Sequence, residues 1–101
     1  MKISTNGQHG WKLVYSGDVL NTIRQSIDSI EDEGKRETVS KTAVKSFAHI
    51  KQDPLAAGGP RFRYHHLDLL NYVYTTEFFI VHYAIDETRH LIYLRKFVLF
   101  D

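Results

Sequence analysis

The chain has 101 residues, a net charge of +1, 25% charged and 43% hydrophobic residues, and no cysteine. That length predicts one small domain with a single core. The near-neutral charge gives no global basic field of the kind that attracts nucleic acid. The missing thiols exclude disulfides, zinc–thiolate sites and a cysteine nucleophile, and fit a reducing interior.

Met1 to Gly10 is polar, with Gly7 and Gly10, and reads as a flexible N-terminal tail ahead of a domain over residues 11–101. It lacks the apolar stretch of a secretory signal, and no run is apolar enough to span a bilayer. A cytoplasmic protein without a membrane partner is the expectation. Trp11 to Tyr15 alternates apolar and polar residues, which predicts a short strand. Asp18 is then a candidate N-cap. Leu20, Ile23, Ile27 and Ile30, with Val19 at the edge, form one face of an amphipathic helix. The run Glu31-Asp32-Glu33 and Gly34 marks its end, although carboxylates sit poorly at a helix C-terminus.

A second helix is predicted over Lys35 to Lys51, with Val39, Ala43, Val44, Phe47, Ala48 and Ile50 as its apolar stripe. The two helices differ in sign: residues 18–33 carry a net −4 and residues 35–51 a net +4. Both charged faces have solvation as the simple reading, and the basic one also has the chemistry to lie on phosphate. Asp53-Pro54 stops the second helix, because a residue before proline resists the α conformation. Gly58-Gly59-Pro60 marks a loop.

Arg61 to His66 reads either as a short strand or as an extended loop edge. Leu69 to Thr75 predicts a strand, Thr75-Thr76-Glu77 a turn, and Phe78 to Ile85, apolar on both faces, a central strand. Leu91 to Val98 closes the sheet through a hairpin at Asp86 to Arg89. The predicted fold is therefore a two-layer α+β domain in the order β-α-α-β-β-β. Its helical hairpin packs on one face of a mainly antiparallel sheet of about four strands.

Several features in this order resemble the RelE/ParE superfamily, the toxin halves of type II toxin–antitoxin pairs. They are Val14-Tyr15 before the first helix, the helical hairpin, Ile50-Lys51-Gln52-Asp53-Pro54 followed by Gly58-Gly59, and Val81-His82-Tyr83-Ala84-Ile85-Asp86-Glu87 in the hairpin. The resemblance spans roughly Trp11 to Val98 and implies growth inhibition, plasmid stabilisation and silencing by a cognate antitoxin. It implies one of two targets: DNA gyrase, as for ParE, or ribosome-bound mRNA, as for the metal-independent endonucleases of the RelE kind. The nuclease branch commonly carries arginines where this chain has Val73 or Tyr74 and Phe79, and a basic or aromatic end where this chain closes Phe97-Val98-Leu99-Phe100-Asp101. Those departures favour a toxin that binds its target. A diverged interaction module that keeps the scaffold is the remaining alternative.

Under the nuclease reading the candidate catalytic residues are Arg61, Arg63, His65, His66 and Arg95. Cleavage through a ribose 2′-hydroxyl needs a base, an acid and cationic stabilisation of the phosphate, roles that suit histidine and arginine. The bland reading of the same residues is a polar edge with solvated charges, and for Arg95-Lys96 a strand end that resists edge association. Tyr93 and Arg95 share a strand face, so Arg95 meets the Arg61–His66 segment if that segment runs beside the last strand. His82, alone in an apolar strand, reads as a hydrogen-bonded core or edge residue. His65-His66 makes a poor metal pair because neighbouring strand residues diverge. No cofactor or metal is expected. Tyr64, Tyr72, Tyr74 and Tyr93 are the candidate binding aromatics, either exposed on an open sheet face or paired across strands.

Overall fold

The computed structural model describes residues 10–64 and 69–100, with the backbone alone over 60–64. Its elements are β1 (Lys12–Tyr15), α1 (Val19–Asp28), α2 (Glu33–Gln52), a short α3 (Pro54–Ala57), β2 (Gly59–Tyr64), β3 (Leu69–Thr75), β4 (Phe79–Asp86) and β5 (Leu91–Leu99). The strands form one sheet in the order β1-β5-β4-β3-β2. β1 runs parallel to β5, and every other pair is antiparallel. The segment from Gly59 settles as a strand through its pairing with β3, so the sheet has five strands where the sequence suggested about four.

The joint between α1 and α2 differs from the sequence expectation. The acidic run does not end the first helix; it begins the second. Asp32 is the N-cap of α2, its side chain accepting a hydrogen bond from the Lys35 N–H at 2.9 Å, and Glu33 lies in the first turn. Carboxylates are favoured there by both capping and the helix dipole. The Arg36 guanidinium reaches back to the Ile30 carbonyl at 2.9 Å and closes the connection.

Pairing across β3, β4 and β5 fixes which residues share a face. Leu70, Tyr72 and Tyr74 stand opposite Ile85, Tyr83 and Val81, and Ile85 and Tyr83 stand opposite Ile92 and Leu94. These residues face the helices. Together with Val19, Ile23, Ile30, Val39, Ala43 and Ile50 they build the core. β5 holds this alignment only by means of a bulge: Leu94 pairs with Tyr83 and Lys96 with His82, which leaves Arg95 as an extra residue. The inward phase thereby jumps from Ile92 and Leu94 to Phe97. In α2 the buried positions are Val39, Ala43, Ser46 and Ile50, while Val44, expected in the stripe, is 68% exposed. Among the described residues, both long helices lie on one side of the sheet.

Candidate functional site

The other side of the sheet is built from the alternate positions. Val14, Tyr93, Ala84 and Asn71 lie in register across β1, β5, β4 and β3, with Asp86 and Leu91 in the next row that shares this face. No described helix covers them. A cleft of about 290 Å³ opens here, lined by Ser16, Leu69, Asp86, Arg89, Tyr93 and Arg95.

The hairpin between β4 and β5 shapes one wall. Glu87 to His90 make a four-residue connection that ends with His90 in the left-handed region at φ 55°. Asp86, only 9% exposed, accepts a hydrogen bond from the Arg89 N–H at 3.1 Å and another from its guanidinium at 3.4 Å. The turn therefore holds a carboxylate and a cation together at the cleft wall. The outer side of the hairpin is tied to β1: Trp11 stacks on His90 at 4.5 Å, and the Lys12 N–H donates to the His90 carbonyl at 3.0 Å. The bulge shapes the opposite wall by bringing Arg95 alongside Tyr93.

The residues singled out in the sequence are spread over three places. Tyr93 and Arg95 meet in the cleft. Arg61, Arg63 and Tyr64 belong to β2, and the structure describes only their backbone. The condition that would bring them beside Arg95 fails: β4 and β3 lie between β5 and β2, so the two strands stand about 14 Å apart at ordinary strand spacing. What does converge is the end of β2, because Tyr64 pairs with Leu69 and Leu69 lines the cleft. His65 and His66 lie outside the described residues.

Tyr72 and Tyr74 face the helices. The ring of Tyr72 lies 5.6 Å from that of Tyr83, and the Tyr74 hydroxyl lies 3.3 Å from His49 Nδ1 on α2. Tyr83 is fully buried and donates from its hydroxyl to the Pro54 carbonyl at 2.6 Å. Burial pushes its phenol pKa well above the ordinary value, with smaller contributions from Tyr72, Tyr74 and Asp53 and an opposing one from the Gly58 N–H. His82 lies on the open side between Val73 and Lys96. Ser16, Asp86 and Arg89 line the cleft but were not among the site residues expected from the sequence. The signal for the last two was an acid and a base three positions apart in a hairpin turn, a spacing equally ordinary in any turn.

No group of three or more potential metal-ligating side chains comes together among the described residues, and no described helix is long and apolar enough to cross a membrane. No protein-family model, curated protein or solved structure matches this chain.

Proposed function

We propose that this chain is a growth-inhibiting toxin component of a type II toxin–antitoxin pair. On this reading it is similar to the RelE/ParE superfamily, acts in the cytoplasm by binding a macromolecule such as DNA gyrase, and is held in check by a cognate antitoxin. The observation that carries the reading is the open sheet face with its cleft of Tyr93, Arg89 and Arg95. An aromatic ring beside guanidinium groups, backed by a rigid sheet, is the composition of a binding hot spot. The element order, with a helical hairpin between the first strand and an antiparallel meander, agrees with what the resemblance implies.

Induced expression in a bacterial host tests the reading. Growth arrest is expected, together with inhibition of gyrase supercoiling by micromolar purified protein. Arrest without any effect on gyrase moves the target elsewhere; normal growth leaves only a diverged interaction module.

A second reading, a ribosome-dependent mRNA endonuclease of the RelE kind, draws support from the register that sets Tyr64 beside Leu69 at the cleft. It predicts that replacing Arg63 and His66 by alanine abolishes mRNA cleavage and growth arrest together. Unchanged cleavage in that variant removes the assignment.

A further inference from the structure

α2 buries Val39, Ala43, Ser46 and Ile50 on its core side. Its solvent side carries a second stripe of Glu37, Ser40, Val44, Ala48 and Lys51, every one of them exposed. The spacings are three, four, four and three, so the five residues follow one line along the helix. That line has the same spacing in both directions from its centre. The centre is Val44, the most exposed large apolar residue among those described. Small side chains stand four residues to either side of it. Seven residues to either side stand a carboxylate and an ammonium.

The surface is polarised along the same line. A groove of about 450 Å³ lies between the end of α1 and the N-terminal half of α2, where Asp28, Glu33 and Glu37 outnumber Arg36 and Lys41. Arg36 is committed to the Ile30 carbonyl, and Lys41 meets Oε1 of Glu37 at 3.0 Å in an exposed pair. Such a pair contributes little, and the other carboxylate oxygen of Glu37 can still accept from a second cation. At the far end of the line, Ala48 and Lys51 border a groove of about 340 Å³ beside Trp11. Lys51 makes no ion pair among the described residues.

We propose that this stripe is the contact of a two-fold dimer, in which α2 of one copy lies antiparallel on α2 of a second. The proposal is independent of the toxin reading. A two-fold contact is self-complementary, with residue i on j and j on i. Centred on Val44, it sets Val44 on its own counterpart, and twice over it sets Ser40 against Ala48 and Glu37 against Lys51. The small side chains let the helix axes approach to about 8–10 Å, the distance of close-packed pairs. Each Lys51 then reaches the groove of the other copy, where carboxylates are in excess. Parallel pairing would set carboxylate on carboxylate and ammonium on ammonium, so charge selects the direction. Lys41 and Lys45 lie to one side of the line, at the rim, where water and salt screen their repulsion. The net charge of +1 adds no general repulsion between copies. One helix pair covers less than the roughly 1,200 Å² of a standard interface, so the dimer is weak, with a dissociation constant on the order of 100 μM. It leaves the open sheet face of both copies uncovered.

The test is analytical ultracentrifugation of the purified full chain in low-salt buffer, from about 10 μM to about 1 mM. The parent is expected to pass from monomer to dimer over this range and to go no further. Glu37→Lys and Lys51→Glu each place like charges at both ends of the pair, and each should weaken association about tenfold. An equimolar mixture of the two variants should recover it, because the mixed dimer again sets opposite charges at both ends. Val44→Glu brings two carboxylates together on the axis and should leave a monomer. Circular dichroism should be unchanged in all three variants, since the replaced side chains are exposed. A parent that stays monomeric at the highest concentration overturns the proposal. So does a dimer that both charge reversals leave intact, or a mixture that associates no more tightly than either variant alone.

Discussion

The Tyr83 hydroxyl joins three parts of the chain: it lies on β4, donates to Pro54 at the start of α3, and is approached by the N–H of Gly58 just beyond. Phenylalanine at this position keeps the ring and leaves the Pro54 carbonyl buried without its donor. Tyr83→Phe is therefore expected to cost about 1–2 kcal/mol, measured by denaturant unfolding. The raised pKa has a consequence of definite sign. In the unfolded chain Tyr83 ionises near its ordinary value of 10.0, while in the folded chain it stays neutral to higher pH. Its contribution to stability is complete below about pH 10 and declines as the pH rises beyond that, since the unfolded state then binds fewer protons than the folded one. Tyr83→Phe should show a shallower alkaline loss than the parent; identical slopes would contradict the buried phenol. Gly58 is the third member of this joint. A Cβ there would stand 2.6 Å from the Tyr83 hydroxyl oxygen and 2.7 Å from the Val73 carbonyl oxygen. Gly58→Ala should cost about 1–3 kcal/mol by overpacking. Combined with Tyr83→Phe it should prove non-additive, because the two changes disturb one contact.

At the scale of elements, α2 shows how local chemistry and tertiary packing share the work. Asp32→Ala removes the cap and should lower stability by about 1 kcal/mol. Val39→Ala should cost about 1–3 kcal/mol, because Val39 is fully buried against the sheet. Val44→Ala should change little or stabilise slightly, because an exposed β-branched residue gives way to a better helix former. These unfolding midpoints separate the observed stripe from one that includes Val44. Much of the framework was legible: Ile23 and Ile27 on the inner face of the first helix, the Asp53-Pro54 stop, and the strands on either side of the Asp86–Arg89 turn all reappear, whereas Val19, expected at the edge of that face, is buried, Leu20 is half-buried, and Ile30 joins the core from beyond the helix end at Asp28. Hydrophobic period carries those elements, and period is a local property. The acidic run was misplaced because a run of carboxylates marks a helix start as readily as a linker, and only the turn after Asp28 decides between them. The β5 bulge was present as the phase break Leu94-Arg95-Lys96-Phe97, but in a single strand a break of period has no partner against which to be seen. The faces of Tyr72 and Tyr74 were illegible for a related reason: they depend on pairing with Tyr83 and Val81, distant in the chain.

At the scale of the molecule, the sheet divides the tyrosines between two duties, and that division makes the proposed function separable from the fold. Tyr72 and Tyr93 are both half-buried and both lie in strands. Tyr72 faces the helices and packs against Tyr83, whereas Tyr93 stands opposite Ala84 on the open face and lines the cleft with Arg89 and Arg95. Truncating Tyr72 opens a void beside the core and should lower stability by about 3 kcal/mol, as large-to-small core changes do. The protein that remains folded should bind its target with unchanged affinity. Truncating Tyr93 removes a ring with little behind it, so stability should fall by no more than about 1 kcal/mol, the worth of a cross-strand pair. If the open face is the binding surface, Tyr93→Ala should weaken target binding by about thirtyfold, the effect of losing a hot-spot aromatic of roughly 2 kcal/mol. Thermal unfolding and a growth-arrest titration, run on both variants, read the two effects independently. A Tyr93→Ala protein that arrests growth at the same induction level as the parent would place the working surface elsewhere, with the exposed faces of the helices the next to probe.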